Sequence, residues 1–106
     1  MRTITLEEHF TTPKFLDGPG RARNEKAQKE GGRLRKAFDQ LADVGAGRIA
    51  EMDAAGIDMQ VLSLTSPGAE QLDAAEAVAL ARDANDFLAG VCKRHPARFA
   101  GLAVLP

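Results

Sequence analysis

Short apolar runs alternate with longer amphipathic stretches along this chain, and the two periods separate strands from helices. The β-branched run around Arg2-Thr3-Ile4-Thr5-Leu6 predicts a first strand over about residues 2–7. Met59-Gln60-Val61-Leu62-Ser63-Leu64-Thr65 is largely apolar, bounded by Gly56 on one side and Ser66-Pro67-Gly68 on the other. It reads as a buried strand over about 59–65. Phe99 to Leu105 reads as a third over about 99–105, with Pro106 after it. Helical spacing is plainest after Asp73, where Ala77, Ala81, Ala84, Leu88 and Val91 recur, flanked by Leu80 and Phe87. This predicts an amphipathic helix over 73–94. Asp73 to Glu76 has capping-box form, cationic residues fill the last turn, and Pro96 closes it. A shorter helix is expected over 46–55, with Ile49 and Met52 on one face and Gly56 as a left-handed cap.

Residues 11–45 fit no single element, because Pro13, Gly18, Pro19, Gly20, Gly31 and Gly32 interrupt them. They are expected to form a long loop, functional or mobile. Within it Asn24 to Glu30 suits a short solvated helix, and Leu34, Phe38 and Leu41 suit one or two turns. Phe15, Leu16 and Val44 are candidates for pinning it to a neighbouring surface. The order is strand, long loop, helix, strand, helix, strand. Apolar strands joined by helical crossovers imply an α/β fold, a parallel sheet with covering helices. Functional loops in such folds lie at the carboxyl ends of the strands.

At 106 residues with 44% apolar content, the chain suits one modest domain. Its 14 basic and 15 acidic residues leave no basic stripe, which argues against nucleic acid. No apolar stretch approaches the ~18 residues of a membrane span. The N-terminus has no apolar signal core, and a lone cysteine, Cys92, forms no internal disulfide. A cytoplasmic protein is the expectation, with Cys92 packed in a helix.

Candidate chemistry gathers at the first strand. Residues i and i+2 of a strand share a face, so Glu7 and His9 project side by side. A carboxylate and an imidazole so placed suit one divalent cation. The spacing equally fits a solvated strand end. Glu8 points the other way and is expected to be structural, pairing with an arginine. His95 reads as a helix-end residue. Asn85 is a candidate for bonding loop backbone, with a solvated face as the alternative. Ser63 and Thr65 lie near a strand end, yet no His or Asp is expected to activate a serine nucleophile. Gly18-Pro19-Gly20 follows no strand directly and lacks the Lys-Ser/Thr of a phosphate loop.

Taken in order, Leu6-Glu7-Glu8-His9-Phe10, Met52-Asp53-Ala54-Ala55-Gly56-Ile57-Asp58 and Val61-Leu62-Ser63-Leu64 form a recognisable set. Ala81 to Asp86, His95-Pro96-Ala97-Arg98-Phe99 and Gly101 to Pro106 complete it. The set resembles the amidohydrolase-related decarboxylases, the group of γ-resorcylate, 2,3-dihydroxybenzoate and aminocarboxymuconate-semialdehyde decarboxylases. The resemblance implies a (β/α)₈ barrel with one divalent metal ion, zinc or manganese, acting on a small aromatic carboxylic acid. Glu7 and His9 match the family's two strand-1 metal ligands. Its further ligands and its general acid/base, a histidine and a late aspartate among them, belong to later strands. A barrel of this kind needs about 250 residues.

The expectation is therefore the first three β/α units, an N-terminal third with an incomplete barrel. Its metal would be weakly held, no catalytic residue can be assigned, and its open sheet edges invite self-association. The abrupt Pro106 suggests truncation of a longer gene. The leading activity is non-oxidative decarboxylation. The alternatives are a metal-dependent hydrolase of the same superfamily, or an inactive fragment that associates through its open edges.

Overall fold

A computed structural model describes residues 1–106. Strand β1 (Ile4–Phe10) leads into three helices, α1 (Pro13–Asp17), α2 (Arg21–Glu30) and α3 (Gly32–Ala42). Helix α4 (Ala46–Ala55), strand β2 (Met59–Leu64), helix α5 (Ala74–Arg94) and strand β3 (Phe99–Gly101) follow. The strands form one open parallel sheet in the order β1-β2-β3.

The local chemistry explains most of these boundaries. Asp73 accepts from the Glu76 amide at 2.9 Å, which starts α5. Gly56 ends α4 with φ 72°, a backbone conformation that a side chain would oppose. The core sits between the sheet and its helices: Phe10, Leu62 and Phe99 pack against Met52 of α4 and Leu88 and Val91 of α5. A smaller cluster of Phe15, Ala69, Ala77 and Leu80 fixes α1 against the start of α5. Helix α5 approaches β3 so closely at Gly101 that a β-carbon there would collide with the Leu88 side chain.

Three expectations need correction. The segment 11–45 is largely helical, not a loop. Its glycines separate helices, since the Gly31 N–H still bonds Ala27 while φ 66° turns the chain from α2 into α3. The first strand runs to Phe10, not to residue 7, because Glu8, His9 and Phe10 pair with Leu62, Ser63 and Leu64. Phe10 anchors that extension at 0% exposure. The third strand stops at Gly101 instead of reaching residue 105. Leu102 donates one more bond to Leu62, and then the Asn85 side chain takes over the backbone of Val104.

A bulge in β1 decides which side chains share a face. The register shifts between Thr5 and Glu8, so Leu6 and Glu7 together face Val61. Beyond it, Glu8 and Phe10 share the helix-covered side with Leu62 and Leu64, while Glu7 and His9 share the uncovered side with Ser63. That uncovered side also exposes Ile4 (46%) and Leu6 (66%). No helix is long and apolar enough to cross a membrane.

Candidate metal centre

Glu7 and His9 stand on the uncovered face of β1, both exposed. Their backbone is held from the opposite face by a residue that the sequence pattern does not single out. Arg48 of α4 is buried and donates to the His9 carbonyl at 2.8 Å. The same guanidinium donates to the carbonyls of Gln40 (2.9 Å) and Asp43 (2.6 Å), and to Gln60 Oε1 at 3.3 Å. One side chain thus ties α3, α4, β1 and β2 together. Burial lowers its pKa from the ordinary value, an effect opposed by the charges of Glu8, Asp43 and Glu51. Glu8, expected to pair with an arginine, acts on Arg48 through its charge. One sequence signal points to Arg48: it lies one helical turn before Met52, on the face that meets the sheet.

The imidazole has a partner of its own. His9 Nδ1 lies 3.0 Å from Ser63 Oγ, the residue that faces it across the β1–β2 register. A histidine thus stands beside Ser63, where the sequence pattern places no His or Asp to activate a serine nucleophile. The contact does not make a nucleophilic triad, because no carboxylate hydrogen-bonds to the ring to orient it as a base. Its consequence is that Nε2 is the ring nitrogen left without a protein partner.

The other candidates are structural. The His95 N–H bonds the Val91 carbonyl at the end of α5, and its ring meets Phe99 edge-on at 5.8 Å. Asn85 grips loop backbone with both ends of its amide, accepting from Val104 N at 2.7 Å and donating to Val104 O at 3.0 Å. Cys92 is half-buried, and burial pushes its thiol pKa up. Thr65 and Ser66, past the end of β2, border a groove of about 360 Å³ walled by Phe15, Phe38 and Leu41.

No protein-family model matches the chain. Individual relatives do. It is 37% identical over 105 residues to gamma-resorcylate decarboxylase of Rhizobium radiobacter, across 97% of this chain and 30% of that protein. It also superposes on 5-carboxyvanillate decarboxylase from Novosphingobium aromaticivorans, solved with manganese and 4-hydroxy-3-methoxy-5-nitrobenzoic acid. The TM-score is 0.87 at 36% identity, over 98% of this chain and 34% of that one. The chain is similar in sequence and fold to the N-terminal third of amidohydrolase-related decarboxylases. A putative amidohydrolase from Staphylococcus aureus shares the fold at TM-score 0.64 and 31% identity, over 100% of this chain and 29% of that one. The chain spans about a third of the length of the relatives it matches. Its three parallel strands correspond to the N-terminal part of an amidohydrolase TIM barrel.

The residues present fit part of a metal site. A carboxylate and an imidazole with a free Nε2 are sound donors for a divalent ion, and both lie on the uncovered face. A third His, Cys, Asp or Glu does not join them.

Proposed function

We propose that Glu7 and His9 are two ligands of the divalent metal of a non-oxidative decarboxylase acting on a small aromatic carboxylic acid. The remaining ligands and the proton-transferring group come from outside these three strands. The observation that carries this reading is the placement of both donors on one uncovered sheet face, in a chain whose solved relative holds manganese with a substituted benzoic acid. Manganese is favoured over zinc for the same reason. Glu7 and His9 would hold the ion, which when bound supplies Lewis-acid polarisation of a substrate oxygen. Arg48 fixes the strand that presents both donors, and Phe10 at the end of that strand is anchored in the core. Decarboxylation is preferred to hydrolysis because the named relatives of known activity are decarboxylases. A cytosolic setting suits the single free thiol.

Calorimetric titration of the chain with Mn²⁺ tests the ligand assignment. Weak saturable binding, lost in both Glu7→Ala and His9→Ala, is the expected result. Binding that survives either substitution would overturn it.

A second reading has its own observation. Ile4, Leu6, Leu102 and Leu105 are 46%, 66%, 56% and 82% exposed, a large apolar burden for 106 residues. We propose that copies of the chain associate through the uncovered sheet face. Sedimentation velocity that shows concentration-dependent growth, reduced by Leu6→Lys, supports this; a monomer at every concentration would exclude it.

A further inference from the structure

We propose that Ser63 is a positioning residue for His9, holding the imidazole as the Nδ1–H tautomer so that Nε2 is offered to a divalent cation. This inference rests on the reading of Glu7 and His9 as metal ligands. It draws on a separate set of contacts, and its primary test involves no metal.

His9 is fixed at two points. Its carbonyl oxygen accepts from buried Arg48 at 2.8 Å, and its place in the register opposite Ser63 is set by the β1–β2 pairing. With the backbone held, the ring retains only its side-chain torsions. Ser63 Oγ, 3.0 Å from Nδ1, removes that freedom. Ser63 cannot drift either, because it lies inside β2 between Leu62, which is 0% exposed, and Leu64, which packs against both core clusters.

The direction of the hydrogen bond follows from ligation chemistry. A neutral imidazole carries one proton, and a ring nitrogen that binds a cation cannot carry it. Nδ1 is committed to Ser63, so the exposed His9 ring ligates through Nε2 and keeps its proton on Nδ1, donated to Ser63 Oγ. The serine oxygen has lone pairs to accept it. Ser63 is only half-buried, which leaves its own hydroxyl proton free to turn to water. A hydrogen-bond partner on the non-ligating nitrogen is the usual means of fixing tautomer and ring orientation in a metal-binding histidine.

The test is long-range ¹H–¹⁵N correlation spectroscopy of the metal-free chain at about pH 9, above the ordinary imidazole pKa of about 6.5. The proposal expects the His9 Nδ1–H tautomer to predominate in the native chain, to give way to Nε2–H in Ser63→Ala, and to return in Ser63→Thr. His95, whose ring has no hydroxyl partner, serves as the internal reference and keeps its tautomer in all three. Mn²⁺ affinity should fall about tenfold in Ser63→Ala and recover in Ser63→Thr. A native His9 held as Nε2–H, or a tautomer ratio unmoved by Ser63→Ala, would overturn the proposal. An Nδ1–H tautomer in a chain that binds no Mn²⁺ would uphold the Ser63 contact while removing the metal reading. Dispersed backbone spectra of each variant report that it is folded.

Discussion

Arg48 Nη2 donates a 2.8 Å hydrogen bond to the carbonyl oxygen of His9, across 39 residues of sequence. A single buried guanidinium in α4 thereby sets the backbone of the strand that presents both proposed ligands. Its other bonds go to Gln40 O, Asp43 O and Gln60 Oε1, so most of its hydrogen-bonding capacity is spent inside the protein.

Arg48→Ala should destabilise the chain by about 2–4 kcal/mol, since it strands several acceptors in a partly buried site. Arg48→Lys should recover only part of this, because an ammonium lacks the fork that reaches carbonyls on separate elements. Urea unfolding followed by circular dichroism measures both. Equal stability of the alanine variant and the native chain would show that the network contributes nothing net.

Asn85 closes two bonds on Val104, beyond the end of β3. Asn85→Ala should cost about 1–2 kcal/mol and release the backbone that follows Gly101. Hydrogen exchange at the Val104 amide should accelerate in this variant, while amides in the middle of α5 change only as far as global stability does. Unaltered exchange at Val104 would mean that the segment is held by its apolar contacts.

The half-buried Cys92 thiol gives a pH dependence with a defined sign. Burial raises its folded-state pKa, so the folded chain keeps the proton to higher pH than the unfolded chain does. This contribution is fully present below the unfolded value of about 8.5 and is lost as pH rises through the folded one. Stability measured between neutral pH and about pH 10 should therefore fall less steeply in Cys92→Ala than in the native chain. Identical slopes would assign the alkaline loss to other groups.

Much of this fold is legible in local patterns. The Asp73–Glu76 start of α5 and the Gly56 end of α4 are signalled by residues within a few positions of one another, and the structure shows both caps. Helices α2 and α3 are harder to read because they bury so little: only Ala27 in α2 and nothing in α3. Without an apolar stripe, α2 rests on local support such as the Arg21–Glu25 and Lys26–Glu30 pairs, which leave no hydrophobic period in the sequence. The end of β1 is obscured for the opposite reason. Glu7, Glu8 and His9 look like a polar exit from a strand, yet pairing with β2 carries them on to Phe10.

The candidate site divides along the same line. Glu7 and His9 sit two apart, so their shared face can be inferred from alternation alone. The partners that fix His9 cannot, because Arg48 and Ser63 are 39 and 54 residues away and meet it only through sheet register and helix docking. Nor do the three strands bring a third ligand to the pair.

Paramagnetic broadening by Mn²⁺ tests the central claim most directly, because it locates even a weakly held ion. On stepwise addition of Mn²⁺ to the chain, the resonances of Glu7, His9 and the facing Ser63 should broaden first. Broadening centred on other carboxylates, such as Glu51 or Asp53, with the His9 signals still sharp, would contradict the assignment of Glu7 and His9 as the ligands.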